Sequence, residues 1–579
     1  MILTIYDLSG IQSYIFATNK LKDMIGASFI VNEALFKNIP KLFGEKNNDW
    51  EKEAKDGKPF DLNGKNAKTI YIGGGNALVM YENQTIANEK TRELQKKIFE
   101  DAGGSLKLCT ASIELNERIS LSANQKKLMD LLDTNKRKTP NVSTAKGFSI
   151  NAHDNVNFEP VLRFGDKFAT KSKYLKNEMY YKKKRENGLN IFKDLDTGNL
   201  CFVNEFDNEK DKKSDEIVDD KLKKLEFIKK DSKNYIAVIH MDGNTMGMKI
   251  REFVKAQEGK DLNAILAGLG KLKKLSYEIN TTYNDVLSYT IKEIYKNYEI
   301  NKDGEKFEKF EIPFRPVILD GDDVTVICAA TDAFKFVDTF MRKLGEKGLE
   351  SLQDFKLTAA AGIAFVNIGF PFYTAYDIAE QCCKNAKKVT LKRKDREGRE
   401  YKYDNSKSSM DFQICYSGVT GSISDFRETN YTFSKKENNE KAIYILNIRP
   451  YTFVDDNEAV YSYNGDRGFE GIRKAIVNKT IARSKLKGLR NEYGASVLAA
   501  KTYGNFLLAR AEGESEEAKK TAELLSEPFF FESIHENKDG EKESRYYAKF
   551  FDVLDVLDFI ESEQEENKKD KEEGKTDEQ

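Results

Sequence analysis

The sequence predicts an α+β protein with two ferredoxin-like βαββαβ units and a mostly helical C-terminal domain. Three observations support this class. The chain has 579 residues, which is too long for one core and leaves room for about three or four domains. The strand and helix patterns at the N-terminus return in the same order after Tyr235. In both places an aspartate ends the first strand and a glycine-containing hairpin follows.

The first unit is expected to cover residues 1–115. Its first strand, ILTIY, ends at Asp7, and the segment LSGIQSYIF that follows is typical of a turn into a helix. The other predicted elements are a helix over Ala27–Phe36, two short strands within Thr69–Tyr81 around Gly73–Gly75, a helix near Ala87–Phe99 and a strand near Leu106–Leu115.

The second unit is expected to cover residues 233–430. Its first strand, YIAVIHMD, ends at Asp242, and the tight loop GNTMG precedes a helix. The elements predicted after it are an amphipathic helical stretch over about 261–297, the strand FRPVIL, the DGDD turn, the strand VTVIC, a helix from a cap at Thr331 to Gly345, the strand LTAAAGIAFV and the helix TAYDIAEQCCKNAKK.

Three further regions are predicted from composition. Residues 116–232 are rich in Lys, Asn and Asp, which indicates a small irregular insert and a charged linker. Residues 431–560 contain the helical segments GFEGIRKAIVNKTIARSKLKGL and SVLAAKTYGNFLLARA and are expected to form the helical C-terminal domain. Residues 561–579 are almost without apolar side chains and are expected to be a disordered tail.

The overall composition excludes several classes of protein. Lys and Arg (94) nearly balance Asp and Glu (95), so the net charge does not predict a nucleic-acid-binding protein. The longest apolar run, LTAAAGIAFV, is about half of the ~20 residues that a membrane span needs. The N-terminus lacks a basic segment and contains Asp7 too early for a signal peptide, so we expect a cytoplasmic protein without membrane contact. Six scattered cysteines without a CxxC motif predict neither a zinc ribbon nor a disulfide framework.

The acidic residues of the second unit are predicted to meet at one edge of its sheet. In the βαββαβ topology the first and third strands are antiparallel neighbours. Asp242 ends the first strand, and Asp322 and Asp323 begin the third. Their carboxylates would repel one another strongly in a site of low effective dielectric, and a divalent cation would remove that cost. The sequence therefore predicts that Asp242, Asp322 and Asp323 bind two Mg²⁺ or Mn²⁺ ions.

The loop after Asp242 is expected to bind phosphate groups. Its residues Gly243, Asn244 and Gly247 lie where backbone N–H groups and a helix N-terminus can contact a triphosphate. Lys387 or Lys388, at the end of the last helix of the unit, would add a positive charge to this site. Two metal ions and a phosphate clamp are the usual requirements of phosphoryl transfer.

Each of these motifs also has an ordinary structural interpretation. Asp-Gly is a frequent hairpin signal, so DGDD alone is typical of a solvated turn. Lysines are favoured at a helix C-terminus by the helix dipole. His240 lies within an alternating strand, which favours a structural role. Both acidic clusters fall on strand ends that the topology brings together, and this coincidence favours the metal site.

Eight segments of the chain resemble one known family in the same order. They are DLSGIQSYIF, GGGNALVMY, AVIHMDGNTMG, DGDD, AYDIAEQCCKNAKK, MDFQICYSG, FRETNY and RPY, which together span roughly residues 1–450. The family is the polymerase-palm large subunit of type III CRISPR effector complexes, a relative of GGDEF nucleotidyl cyclases. The resemblance implies two palm domains packed face to face, each of which holds an ATP.

The resemblance also implies roles for individual residues. The second palm would join ATP into a cyclic oligoadenylate or cyclic dinucleotide messenger for antiviral defence, with Gly321 allowing close approach of the nucleotide. The first palm carries GGGN in place of the acids, so it would bind nucleotide without catalysing. Its nucleotide-binding residues would be Asp7, Gly10, Gly73, Gly74 and Gly75.

The sequence departs from the family at three points. Asp320 replaces the first glycine of the GGDD motif, which puts nucleotide geometry and base choice in question. No cysteines form the zinc-binding insert that is common between the palms. The N-terminal HD nuclease of longer members is missing, so DNA cleavage is not expected.

Two other functions remain open. The chain is also compatible with a non-catalytic scaffold subunit that binds CRISPR RNA, target RNA and small effector-complex subunits. Its local basic stretches, Lys182–Arg185, Lys384–Lys402 and Arg473–Arg490, could follow phosphates, although each alone is typical of a solvated surface. A nucleotide-binding pseudoenzyme is the third possibility, if Asp320 disrupts the site.

Overall fold

A computed structural model describes most of the two predicted units and of the C-terminal region. The described residues are 1–16, 21–44, 53–102, 106–138, 195–197, 200–202, 234–257, 259–296, 310–389, 393–394, 400–401, 407–416, 421–437, 440–454, 461–465, 468–477, 481–536 and 542–560. The basic stretch Lys182–Arg185, most of the predicted insert and linker, and the predicted tail lie outside these residues.

The first unit has the predicted βαββαβ topology. Its sheet has the strand order β2-β3-β1-β4, and β1 runs antiparallel to both β3 and β4. A π-helical turn, Glu33–Lys37, joins the second and third helices. The elements are β1 (Ile2–Ser9), α1 (Ile11–Ile15), α2 (Leu21–Asn32), α3 (Asn38–Leu42), β2 (Ala67–Gly73), β3 (Asn76–Tyr81), α4 (Gln84–Ala102) and β4 (Lys107–Glu114).

One helix follows the first unit where the sequence predicted an irregular insert. This helix, α5 (Leu121–Lys138), places Leu121, Leu128 and Leu132 in a core with Leu3 and Ile5 of β1. Its apolar residues recur at helical spacing, which the high content of charged residues obscured. The start of the expected insert is therefore part of the first unit's packing.

The second unit has the same topology with two added strands. Its sheet has the order β18-β15-β12-β6-β9-β8, and the four strands β12-β6-β9-β8 form the ferredoxin-like part. The elements are β6 (Tyr235–Gly243), α6 (Met246–Lys255), α7 (Leu262–Tyr295), β8 (Phe314–Asp320), β9 (Asp323–Ala329), α8 (Ala333–Gly345), β12 (Ala359–Asn367), α9 (Phe372–Val389), β15 (Ser409–Cys415) and β18 (Tyr451–Thr452). Three short strand pairs accompany it, namely β5 (Leu200–Phe202) with β7 (Phe310–Ile312), β10 (Gly348–Leu349) with β11 (Leu352–Lys356), and β13 (Arg393–Lys394) with β14 (Glu400–Tyr401).

The C-terminal region combines the predicted helices with a sheet that the sequence did not predict. This sheet has the order β16-β17-β20-β19. The elements are α10 (Ile423–Tyr431), β16 (Thr432–Glu437), β17 (Glu440–Ile445), α11 (Phe469–Val477), α12 (Arg483–Ala495), α13 (Val497–Ala511), α14 (Glu516–Ser526), β19 (Phe529–Glu536), β20 (Lys542–Ala548) and α15 (Phe551–Asp555). The predicted α+β class with two ferredoxin-like units is confirmed.

The two units share a hydrophobic core. Side chains of β6 alternate between the faces of the sheet, so Ala237 and Ile239 pack with α7 while Ile236 and Val238 face the other way. On that second face they join a core that contains Met24 of α2 and other residues of the first unit. None of the helices in the described part of the chain combines the length and apolar composition needed to cross a membrane.

Candidate nucleotide site

The first and third strands of the second unit bring the predicted acids to one edge of the sheet. The register pairs Met241 of β6 with Val324 of β9, so the next residues along these strands, Asp242 and Asp323, are neighbours. Asp322 lies in the β8–β9 turn beside them. Burial, followed by the charge of Asp242, raises the pKa of Asp322 to about 7. The carboxylates are therefore close enough to interact electrostatically, as the sequence predicted.

Asp323 has an unusual environment. Burial is the main cause that raises its pKa, and the charges of Asp242, Asp320 and Asp322 raise it further. Its Oδ1 atom is buried without a hydrogen-bond partner in the described residues and lies 3.4 Å from His240 Nδ1. His240 Nδ1 forms a 3.0 Å hydrogen bond with Thr325 Oγ1, and burial lowers the pKa of this histidine to about 4. His240 is thus uncharged at neutral pH and does not compensate the carboxylate.

The three carboxylates do not form a ready-made metal cage. Asp323 is on the same face of the sheet as Ile327, which packs against α9. The Asp322 carboxylate lies beside Gly243 and Tyr283, on the face that α7 covers. Asp242 is held by an ion pair with Lys387 of α9. Among the residues described, no group of three or more His, Cys, Asp or Glu side chains is arranged to hold a metal ion. Any cation here would need further oxygen ligands.

The loop after Asp242 has the close packing that a glycine permits. A Cβ atom on Gly243 would lie 2.6 Å from Asp322 Oδ2 and 2.8 Å from Tyr283 Oη, so a side chain there would force these neighbours to shift. Asn244 is buried, and its side-chain nitrogen donates 3.2 Å hydrogen bonds to Thr358 Oγ1 and to the Lys407 carbonyl. Asn244 therefore anchors the loop. Gly247, in the first turn of α6, has open space around it.

The two candidate lysines differ in position. Lys387 pairs with Asp242, while Lys388 is exposed on the next position of α9. The structure therefore places Lys387 at the carboxylates and leaves Lys388 outside the site.

Side chains of the predicted basic stretches form ion pairs within the protein. In Arg473–Arg490, Arg473 pairs with Glu470 and Arg490 pairs with Asp555. Lys384 likewise pairs with Glu380.

Two site residues were not predicted from the sequence. Tyr283 of α7 is buried beside Gly243, and its hydroxyl has no hydrogen-bond partner in the described residues. Burial and the nearby charges of Asp322 and Asp242 raise its pKa, so it stays a neutral hydroxyl that can donate to an anion. Thr245 is the residue just before α6 and has a φ of 59°. Its Oγ1 atom is buried and has no hydrogen-bond partner among the described residues. A β-branched residue in this region of φ is strained, which often marks a functional loop.

The corresponding residues of the first unit have different environments. Asp7 accepts a hydrogen bond from Ser9 and forms a 2.8 Å ion pair with Lys136 of α5. Gly10 caps α1 in the left-handed region at a φ of 80°. Gly73, Gly74 and Gly75 form the β2–β3 turn, and the Gly74 amide donates a 2.6 Å hydrogen bond to Asp320 Oδ1 of the second unit. Burial raises the pKa of Asp320 to about 6, and the amides of Gly74 and Gly75 oppose that shift.

In the second of the two ferredoxin-like units, carboxylates lie at the end of the first strand and in the hairpin between the second and third strands. Residues 235–396 match the family described as Cas10/Cmr2, second palm domain. The resemblance inferred from the sequence is thereby confirmed for the second unit, which is a palm domain of this family.

Solved structures of Csm1-Csm4 cassettes and of Csm1 are among those to which this chain is similar. This chain is 12% identical to a chain of the Csm1-Csm4 cassette in complex with cA4, at a TM-score of 0.39. The match covers 69% of this chain and 56% of that chain. The apo Csm1-Csm4 cassette gives 11% identity, a TM-score of 0.42 and coverage of 91% and 70%. Csm1 in T.onnurineus gives 13% identity, a TM-score of 0.44 and coverage of 90% and 66%. No curated protein sequence matches this chain.

Proposed function

We propose that this protein is a metal-dependent nucleotidyltransferase that converts ATP into a cyclic oligonucleotide messenger of the cyclic oligoadenylate type in CRISPR-linked antiviral defence. The observation that supports it most directly is the meeting of Asp242, Asp322 and Asp323 at one sheet edge, within the segment that matches a Cas10/Cmr2 second palm domain. The matched domain makes up only part of the chain, so the activity is a proposal for the whole protein.

The carboxylates have the chemistry that Mg²⁺ or Mn²⁺ requires. Asp323 buries an oxygen without a hydrogen-bond partner in the described residues, and burial together with Asp242 makes ionised Asp322 costly. A hard cation would stabilise both charges, and Mg²⁺ is usually bound through one or two carboxylates plus substrate phosphates. Such binding does not need a complete protein cage, and the described residues do not form one. When bound, such ions activate an attacking hydroxyl and stabilise the leaving oxygen.

The chain's own groups would bind and orient the triphosphate. Gly243 lets the loop lie against Asp322, and α6 begins just after it at Met246, so backbone N–H groups there are available to an anion. Lys387 would exchange its ion pair with Asp242 for a contact with phosphate when cations neutralise that aspartate. The Tyr283 hydroxyl would donate a hydrogen bond within the same site.

The test is ATP turnover by purified protein with Mg²⁺ or Mn²⁺. We expect pyrophosphate release and a cyclic product identified by mass spectrometry, and loss of both in the Asp322→Ala/Asp323→Ala double variant. The assay is run with candidate target RNA present and absent, because the activating signal is part of the proposal. Equal turnover by the wild type and the double variant would disprove the proposed activity.

We also propose that the chain acts as the large subunit of a type III effector complex. The match to a Cas10/Cmr2 domain supports this role, and the related Csm1 chains were crystallised with Csm4. Expected partners are CRISPR RNA, target RNA and small effector-complex subunits. Co-purification from cells that express the neighbouring subunits should yield RNA bound to this chain, and an RNA-free preparation would count against the role.

A further inference from the structure

The hairpin that carries the acids of the second palm lies at an edge of its sheet. The strand order places β8 last, beside β9. β8 ends at Asp320, Gly321 and Asp322 form the turn, and β9 begins at Asp323. An edge strand is hydrogen-bonded to a neighbouring strand on one side alone, so its end opens more readily than that of a central strand. Contacts from outside the sheet therefore help to fix the positions of Asp322 and Asp323.

The first palm contacts β8 before the turn. The register between β8 and β9 shifts between Pro316 and Ile318, and Val317 lies at this shift. The Ser28 hydroxyl of α2 donates a 2.5 Å hydrogen bond to the Val317 carbonyl, and both residues are buried. A buried backbone carbonyl needs such a partner wherever the strand ladder does not provide one. This bond joins the first palm to the second three residues before Asp320.

Asp320 makes the second contact, at the end of β8. The Gly74 amide donates a 2.6 Å hydrogen bond to Asp320 Oδ1, and the Gly75 amide donates to the same carboxylate. A Cβ atom on Gly75 would lie 4.0 Å from Asp320 Oδ2, so both carboxylate oxygens lie at the glycine turn of the first palm. Hydrogen bonds from N–H groups to a carboxylate are short and about twice as strong as neutral ones. The last residue of β8 is therefore held by the first palm.

The glycine turn that receives Asp320 is itself held in place. The Gly75 carbonyl accepts a 2.9 Å hydrogen bond from the Leu8 amide, and the Gly74 carbonyl accepts one of 2.7 Å from the Asn76 side chain. Gly74 and Gly75 have φ values of 62° and 69°, which glycine adopts without strain. With its carbonyls bonded inside the first palm and its amides bonded to Asp320, the turn is a fixed support for the hairpin.

We propose that Asp320 is a positioning residue, which ties the acid-bearing hairpin of the second palm to the glycine turn of the first and so places Asp322 and Asp323 for cation binding. Because its oxygens lie at the first palm, Asp320 acts through the hairpin and not as a ligand of the cations. The effect on cations rests on the proposed function, whereas the tie rests on the contacts alone. The first palm, which lacks the acids, is thus a support of the second palm's site.

Amide hydrogen exchange in EDTA tests the tie without metal or nucleotide. A peptide that covers residues 317–324 should exchange at least about tenfold faster in Asp320→Ala than in the wild type, because hydrogen bonds to a charged group are lost. Asp320→Asn keeps an acceptor oxygen and should stay within about threefold of the wild type. Ser28→Ala changes only the first palm and should speed exchange of this second-palm peptide about threefold, as expected for one neutral hydrogen bond.

The matched control is Asp61→Ala, which removes a carboxylate that accepts a 3.0 Å hydrogen bond from the Asn63 amide in an exposed turn. The control should exchange as the wild type does over residues 317–324. Unchanged exchange of this peptide in Asp320→Ala would overturn the inference.

Mn²⁺ titration followed by electron paramagnetic resonance tests the effect on the site, at a temperature well below the Tm of every variant. Asp320→Ala should bind Mn²⁺ at least about tenfold more weakly than the wild type, as is usual when the support of a metal ligand is removed. Asp320→Asn should bind within about threefold of the wild type, and Asp61→Ala should bind equally. Asp320→Ala and Asp320→Asn remove the same charge, so a difference between them reports the hydrogen bonds.

Two results of this titration would overturn the inference and leave the proposed function standing. A lower Tm of Asp320→Ala with unchanged Mn²⁺ affinity would mean that the tie serves stability alone. Equal losses of affinity in Asp320→Ala and Asp320→Asn would mean that the charge of Asp320 acts on the cations directly. A wild type that binds no Mn²⁺ would refute the proposed function and the placing of the acids for cations, while the exchange experiment would still decide whether Asp320 holds the hairpin.

Discussion

The hairpins of the two palms share one register and differ in charge. The residues Gly73–Asn76 of the first palm correspond one by one to Asp320–Asp323 of the second. Three of the four positions carry a carboxylate in the second palm, and none does in the first. The first central residue of the turn has the same conformation in both, as Gly74 and Gly321 have φ values of 62° and 64°. The second differs, because Gly75 has a φ of 69° whereas Asp322, at the matching position, does not have a positive φ. The fold therefore does not require these acids, which makes a chemical role the better explanation for them.

The ends of the first strands differ in a second way. Asp7 and Asp242 each pair with a lysine, Lys136 in the first palm and Lys387 in the second. The side chain of Asp7 is 13% exposed and that of Asp242 is 40% exposed. In the first palm one aspartate and one lysine balance each other. In the second palm Lys387 interacts with the charge of Asp322 as well as with that of Asp242, so one lysine serves more than one carboxyl group.

The largest expected difference between the palms is in catalysis. Asp242→Asn should lower ATP turnover by about 10³-fold, because cation binding contributes several kcal/mol to the transition state. Asp7→Asn, the matching change in the first palm, should lower turnover less than about twofold. Both rates are measured as pyrophosphate release after thermal unfolding has shown that each variant is folded. Similar losses in both variants would mean that the first palm also takes part in the chemistry.

The neighbouring acids could be predicted because they depend on topology alone. Once the pattern indicates a βαββαβ unit, its first and third strands must be adjacent, and Asp242 must approach Asp322 and Asp323. The contact between Asp320 and Gly74 could not be predicted, since it depends on how two separate sheets pack. Tyr283 was missed because a tyrosine on the apolar face of a long helix has the pattern of an ordinary core residue.

The C-terminal sheet was missed for a different reason. Its strands β17 and β20 carry charged side chains that form ion pairs. Glu543 of β20 pairs across the sheet with Lys441 of β17 at 3.5 Å and along its own strand with Arg545 at 3.0 Å. Such strands lack the alternation of apolar and polar residues by which a strand is normally predicted. Parallel pairing of β17 with β20, about a hundred residues further along the chain, also leaves no hairpin signal.

Alanine substitutions in the loop after Asp242 test how tightly the second palm is packed. Gly243→Ala would place a methyl group against Asp322 and Tyr283, so the free energy of unfolding should fall by about 1–3 kcal/mol. Gly247→Ala adds a methyl group in open space on a helix and should be neutral or stabilising by up to about 1 kcal/mol. Chemical denaturation measures both. Equal stability of the two variants would show that the loop does not pack against Asp322.

Neutral substitutions of the two lysines test which one contacts the nucleotide. Lys387→Met removes the cation beside Asp242, and loss of one charge-assisted contact of about 1.5 kcal/mol should raise the KM for ATP roughly tenfold. Lys388→Met changes an exposed neighbour on the same helix and should leave KM unchanged. Steady-state kinetics at saturating Mn²⁺ makes the comparison. A larger effect at Lys388 would reverse the assignment.

The smallest expected effect is on stability and comes from the ionisation of Asp322 in the second palm. The pKa of Asp322 is about 7 in the folded protein, above the value near 3.8 of an unfolded chain. Between these values the unfolded chain has released the proton and the folded protein still holds it. The stability therefore falls as the pH rises from about 4 to about 7. Asp322→Asn removes this pH-dependent cost.

We expect Asp322→Asn to raise Tm by a few degrees at pH 8, on the order of 2–4 °C for each kcal/mol relieved in a domain of this size. The rise in Tm should be smaller at pH 5, because less of the stability has been lost there than at pH 8. Both scans are run in EDTA, because a bound cation would stabilise the ionised carboxylate and reduce the difference. The matching position of the first palm is Gly75, where no carboxylate exists to be relieved. A variant less stable than the wild type at pH 8 would show that ionised Asp322 is already well solvated, and the proposed need for cations at this edge would then be lost.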